Sequence, residues 1–142
     1  MTTTPDIKTA AVTWQGEGLA FTAEVGSGYT FTMAAQAGEQ GGSPMELLLA
    51  GVAGCTAIDV VMMLQKMRQP VAGVQVTING TRADSHPRVY TQATLHYTIR
   101  GEVDPDSVRR AIKLSKEKYC SASIMFAEAG VEIATDFTIE AA

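Results

Sequence analysis

Two cysteines, Cys55 and Cys120, are the residues best suited to chemistry in this sequence. A thiolate is the reactive form of cysteine, and its surroundings decide how readily it forms. Cys55 lies in Ala50-Gly51-Val52-Ala53-Gly54-Cys55-Thr56-Ala57-Ile58-Asp59. The small residues before it would let a substrate or another chain come close to the sulfur. Cys120 lies in Lys118-Tyr119-Cys120-Ser121-Ala122-Ser123, at a break between helical patterns. There a helix N-terminus and the cations Lys116 and Lys118 are expected to lower its pKa. Each cysteine also has an inert reading, because free cysteine is among the most buried residue types. A bond closing so long a loop would be worth roughly 4 kcal/mol in the chain-entropy model. A reducing compartment disfavours a permanent bond and suits a reversible one.

Other chemistries find less support. No C-x-x-C stands in the chain, so thioredoxin-type exchange is not expected. Cys55, Cys120, His86 and His96 are the soft or borderline metal ligands, and none shares a tight spacing with another, so no metal is expected. G-x-S-x-G is absent, and Gly26-Ser27-Gly28 reads as a turn. The glycine-rich Gly38–Gly42 stretch precedes a helix but lacks the G-K-[ST] ending of a phosphate loop. Met62, Met63 and Met67 read first as core, and second as the soft lining of an apolar pocket.

The elements that must position the cysteines follow from patterning. Short alternating runs at Ala11–Trp14, Leu19–Val25 and Tyr29–Met33, separated by glycine turns, predict a three-stranded meander. Ser43-Pro44 is a cap-then-proline helix start, with Glu46 in the first turn. The helix is expected to run to about Arg68, before Pro70, with Cys55 near its middle. Val74, Val76 and Ile78, then Ala93, Leu95, Tyr97 and Ile99, alternate as two further strands. Asp104-Pro105 starts a second helix, which Cys120-Ser121 interrupts or ends; Ser123–Ala129 reads as another helical piece, and Val131–Ile139 as a last strand. The order is βββ–α–ββ–α–β, an antiparallel α+β fold expected to form one domain over residues 1–142.

The chain has 142 residues, 46% of them apolar and 18% charged, with a formal charge of −4, which places it with globular proteins long enough to bury a core. Its basic residues are dispersed, so neither nucleic acid nor an anionic membrane is an expected partner. The polar N-terminus carries no leader pattern, and the apolar run Leu47–Ile58 is short of the ~20 residues of a membrane span. A cytoplasmic location is expected. The central helix carries so few charges that one domain is not expected to cover it alone, and a homodimer would.

The segment Ser43-Pro44-Met45-Glu46-Leu47-Leu48-Leu49-Ala50-Gly51-Val52-Ala53-Gly54-Cys55, followed by Cys120 in the next long helix, resembles the OsmC/Ohr family, and the element order extends the resemblance to essentially the whole chain. The resemblance implies an intertwined homodimer with active sites at the subunit interface. It implies a peroxidatic Cys55 that reduces organic hydroperoxides, a resolving Cys120, and a dithiol reductant, often a lipoyl group, with no cofactor. Peroxidase members place a glutamate directly after the helix-initiating proline and an arginine in the N-terminal strands. Here Met45 holds the first position, and Glu46 follows it, rotated by about 100°. The first arginine is Arg68, and Lys8 is the only earlier cation. Cys55, Cys120 and Glu46 are the expected site residues; Arg68, Arg82, Arg88 and Arg100 are candidates for the missing cation. The alternative is a non-catalytic or weakly redox-active dimer of the same fold that binds a small lipophilic ligand.

Overall fold

The computed structural model describes residues 4–36 and 38–142; the first three residues of the polar N-terminus lie outside the described residues. The backbone forms two compact units, residues 1–48 and 49–142.

The first unit holds the expected meander: β1 (Ala10–Trp14), β2 (Ala20–Val25) and β3 (Thr30–Ala34), paired antiparallel in that order. The register sets Val12 opposite Ala23, Trp14 opposite Phe21, and Phe21 opposite Met33. Because strand side chains alternate, these residues share one apolar face while Thr13, Thr22 and Thr32 share the other. The helix α1 (Pro44–Lys66) starts from a reciprocal capping box. The Ser43 amide donates to the Glu46 carboxylate at 2.9 Å, and the Glu46 amide donates to Ser43 Oγ at 3.2 Å. Two amides that helix geometry leaves orphaned are thereby satisfied.

The second unit contains most of α1 and a sheet of β4 (Gly73–Arg82), β5 (Tyr90–Arg100) and β6 (Glu132–Glu140). One pairing departs from the antiparallel expectation: β6 runs parallel to β5, while β4 and β5 are antiparallel. The cause is the connection. β5 reaches β6 through three helical pieces, and so long a crossover returns the chain in the same direction, as a hairpin cannot. The pieces are α2 (Pro105–Leu114), a π-helical turn (Ser115–Tyr119) and α3 (Ser121–Glu128). α2 opens on Asp104, whose carboxylate accepts from the Ser107 amide at 3.2 Å.

The alternation in β5 sorts as expected. Ala93, Leu95, Tyr97 and Ile99 are buried. With Val52, Val60 and Leu64 of α1 and Val108, Ala111 and Ile112 of α2, the last three form the core. α1 ends two residues earlier than expected. Arg68 adopts φ +58°, and the Arg68 and Gln69 amides bond back to Gln65 and Leu64, the arrangement of a left-handed helix cap. By length and composition alone, the 23 residues of α1 are apolar enough to cross a membrane. In this α+β fold the helix instead lays Val52, Thr56, Val60 and Leu64 into the protein.

Candidate active site

Cys55 stands at a boundary on α1. Successive helical residues advance by about 100°, so Gly51, Gly54, Cys55, Ile58 and Met62 lie on one side, and Val52, Thr56, Val60 and Leu64 on the other. The second set is buried. On the first, Ile58 is 62% exposed and Met62 49%. A side chain added at Gly51 or Gly54 would meet nothing within 4 Å. Cys55 is half-buried at the edge between these sides.

Cys120 is fully buried and sits between the π-helical turn and α3. Its amide donates to the Ser115 carbonyl at 2.8 Å, a bond spanning five residues that widens the turn. Its sulfur caps α3, accepting from the Ser123 amide at 3.4 Å. The helix start expected from the sequence is therefore present, but the expected fall in pKa is not. Burial pushes the Cys120 thiol up, Ser123 opposes this with its hydrogen bonds, and neighbouring Cys55 adds to the rise by hydrogen bonding and by charge. Desolvation of a thiolate outweighs the cap. Lys118 turns its ammonium to the ring of Tyr119, 5.2 Å from the centroid. The structure thus brings the two cysteines near enough for Cys55 to act on the Cys120 thiol.

Beside them runs a chain of side-chain hydrogen bonds that the sequence reading did not find. Tyr97 OH and Thr56 Oγ1 are 2.8 Å apart, Thr56 Oγ1 and Ser115 Oγ 2.7 Å, and Ser115 Oγ donates to Asp59 Oδ2 at 2.9 Å. Thr56, Ser115 and Tyr97 are buried. Burial pushes the Tyr97 phenol up, Thr56 opposes it, and the charges of Cys120 and Asp59 add to the rise. The one signal available in the sequence was negative: Thr56 and Tyr97 fall at core positions of their elements, where a hydroxyl needs a partner. Asp59 also lines an open, mainly apolar pocket of ≈ 430 Å³ with Met62, Met63, Met67, Leu114 and Tyr119. All three methionines thus take the second expected role, and Met63 alone also takes the first by packing against the core.

Glu46 lies nine residues before Cys55 on α1, about half a turn round and 13.5 Å along an ideal helix. Its carboxylate holds the capping box, and the Ser43 hydrogen bonds lower its pKa. Of the candidate cations, Arg82 Nε, at the end of β4, donates to the Arg88 carbonyl at 2.8 Å, and Arg88 Nε, in the β4–β5 loop, to the Ala83 carbonyl at 3.4 Å. Arg68 caps α1, and Arg100 lies against Gly73 across the β4–β5 pair. Among the described residues, the groups acting on the Cys120 thiol include no cation. His96 joins Asp136 through Nδ1 at 2.7 Å and Thr138 through Nε2 at 3.1 Å, on the outer side of β5 and β6.

A family model described as OsmC-like protein matches residues 36–136. Protein YhfA of Escherichia coli (strain K12) is 40% identical over 134 residues, which span 94% of this chain and 98% of YhfA. The crystal structure of a hypothetical protein from Aquifex aeolicus VF5 superposes with a TM-score of 0.82 at 30% identity, over 96% of this chain and 99% of that one. The organic hydroperoxide resistance protein OhrB of Bacillus subtilis superposes with a TM-score of 0.66 at 16% identity, over 94% and 98% of the two chains, a likeness of fold alone.

Proposed function

From the premise that this chain belongs to the OsmC-like protein family, we propose that it reduces organic hydroperoxides with Cys55 as peroxidatic and Cys120 as resolving cysteine. The observation that carries this reading is the pairing of a half-buried Cys55 with a fully buried Cys120 on whose thiol it acts. Substrate meets Cys55 first, and Cys120 waits, protonated, beside it. The Cys55 thiolate attacks the peroxide O–O bond, an alcohol leaves, and the sulfur becomes a sulfenic acid. Cys120 then displaces the hydroxyl to form the disulfide, with loss of water. A cytoplasmic dithiol, such as a lipoyl protein, returns both sulfurs to thiols by exchange. Met62, Met63 and Met67 favour a lipophilic hydroperoxide over hydrogen peroxide. Glu46 enters as a positioning residue that fixes the first turn of the helix carrying Cys55.

The acting species in this reading is a homodimer. The exposed Ile58 and Met62 on the Cys55 side of α1, and the open approach over Gly51 and Gly54, support a second copy covering that side.

The test is intact-mass analysis of reduced protein after an equimolar dose of cumene hydroperoxide. Wild type is expected to lose two protons within minutes. Cys120→Ser is expected to yield a sulfenic acid that dimedone traps, and Cys55→Ser to remain unchanged. Two free thiols after treatment of wild type overturn the peroxidase and leave the lipophilic-ligand reading, with the Asp59 pocket as the place to look.

A further inference from the structure

Ser115 opens the π-helical turn and is fully buried. Its hydroxyl meets α1 at two points. It donates to Asp59 Oδ2 at 2.9 Å and lies 2.7 Å from Thr56 Oγ1. A hydroxyl owns one proton, and this one goes to the carboxylate, so Thr56 donates to Ser115 and Tyr97 in turn to Thr56. Thr56 and Asp59 stand one and four residues after Cys55, about one helical turn, and helix side chains lean back towards the N-terminus. The backbone of the same serine holds the other cysteine: its carbonyl accepts the Cys120 amide at 2.8 Å across the widened turn. Cys120 has little freedom beyond that bond. Its carbonyl accepts from the Ile124 amide at 3.0 Å and from Ser123 Oγ at 3.3 Å, and its sulfur from the Ser123 amide at 3.4 Å. One buried serine thus ties the turn of α1 that carries Cys55 to Cys120, with a hydrogen bond at each link. Packing alone gives no reason for a hydroxyl here. Alanine would fill a buried helical position with no polar atom to satisfy, and it favours the helix more.

We propose that Ser115 is a positioning residue that sets Cys120 against Cys55 for closure of their disulfide. This rests on the reading of Cys55 and Cys120 as a redox pair. A disulfide needs Cα atoms about 4.4–6.8 Å apart and converging Cβ directions, so a small drift of the π-helical turn along α1 takes one sulfur out of line with the other. The cross-link through Ser115 opposes that drift and keeps Cys120 at a high effective concentration beside Cys55. Its effect belongs to the second half of the reaction. In that half the Cys120 thiol loses its proton and its sulfur bonds to the Cys55 sulfur. The group that Cys55 acquired in the first half leaves with the bonding pair. The first half involves Cys55 and the oxidant alone, and the position of Cys120 does not enter it.

Stopped-flow reaction with 4,4′-dithiodipyridine separates the two halves without any peroxide. Attack by Cys55 forms a mixed disulfide and releases one thiopyridone; closure by Cys120 releases the second. Ser115→Ala removes both bonds to α1 and strands no buried atom, since Thr56 keeps Tyr97 and Asp59 lines the open pocket. It is expected to slow the second phase relative to the first by ~10-fold, on the scale of a lost hydrogen bond to a charged group. The disulfide, equilibrated against glutathione, should be ~10-fold less favoured, a rise of about 30 mV in potential. Thr56→Val, which cuts one of the two bonds, should shift both readouts in the same direction, and Thr56→Ser, which keeps the hydroxyl, should restore them. The Thr56 pair decides the matter if Ser115→Ala does not fold. A folded Ser115→Ala protein with the wild-type ratio of phases and the wild-type potential overturns the proposal. So does a Thr56→Ser protein as slow in the second phase as Thr56→Val, because the hydroxyl would then not be what counts. A wild type that releases only one thiopyridone overturns the redox pair itself. If it releases both but cumene hydroperoxide leaves Cys55 unoxidised, the peroxidase reading fails while the two phases still decide the role of Ser115.

Discussion

The two sulfurs are divided by solvation. Burial raises the pKa of Cys120 from 9.0 although its sulfur caps a helix. The folded protein thus holds this proton more tightly than the unfolded chain does. Stability conferred by that difference is complete below the ordinary thiol range and is lost as pH rises through the folded pKa, because the unfolded thiol ionises first. Tyr97, raised from 10.0, acts in the same sense at higher pH. Urea melts from pH 7 upward should show wild type losing stability beyond about pH 9, and Cys120→Ser losing less; equal slopes would remove Cys120 from the account. In the same pH range iodoacetamide should label Cys55 before Cys120, as peptide mass analysis can tell. The sequence announced both cysteines, and even the cap at Cys120, because capping is a local matter. It gave the wrong sign for the Cys120 pKa because burial is a tertiary property. The Tyr97–Thr56–Ser115–Asp59 chain was hidden for the same reason: its members come from α1, β5 and the π-helical turn, and only the fold brings them together.

At the scale of elements, α1 carries its boundary conditions in its own sequence. Ser43, Pro44 and Glu46 start it as local chemistry requires, and Ser43→Ala should cost about 1 kcal/mol of stability in denaturant melts. The other end was less legible. A positive φ at a non-glycine residue has no marker in the sequence, and Arg68 adopts one because the left-handed cap satisfies the last carbonyls before Pro70. A side chain in that conformation costs roughly 1–2 kcal/mol, part of which glycine gives back through its greater freedom when unfolded. Arg68→Gly is therefore expected to stabilise the protein by about 0.5–1 kcal/mol in urea melts; a loss of stability would mean that the Arg68 side chain makes a contribution larger than its strain. The parallel pairing of β6 was missed on similar grounds. Alternation places a strand and chooses its buried side, but its direction depends on the path of the crossover, which runs through α2, the π-helical turn and α3.

For the molecule as a whole, apolar surface left open in the chain is the main physical fact still to be explained. Val12 and Trp14 are exposed on the apolar face of the first sheet, and Ile58 and Met62 on the Cys55 side of α1. The sequence had already shown why: a helix apolar nearly all round cannot bury every side within its own chain. Glycine on that side gives the sharpest test of what covers it. In an isolated chain Gly51→Ala meets no neighbour, and the gain in helix propensity should stabilise the fold by about 1 kcal/mol. Under a second copy packed closely over Gly51, the added methyl, and far more the side chain of Gly51→Leu, would push the copies apart. The two cases have opposite signs. The dimer reading expects wild type to sediment as a dimer with a melting temperature that rises with protein concentration. It expects Gly51→Leu to shift the population towards monomer and to lower hydroperoxide turnover, while both cysteines remain in place. A monomeric wild type whose Gly51→Ala and Gly51→Leu variants are both more stable and equally active would show that the Cys55 side of α1 faces substrate and solvent, not another chain.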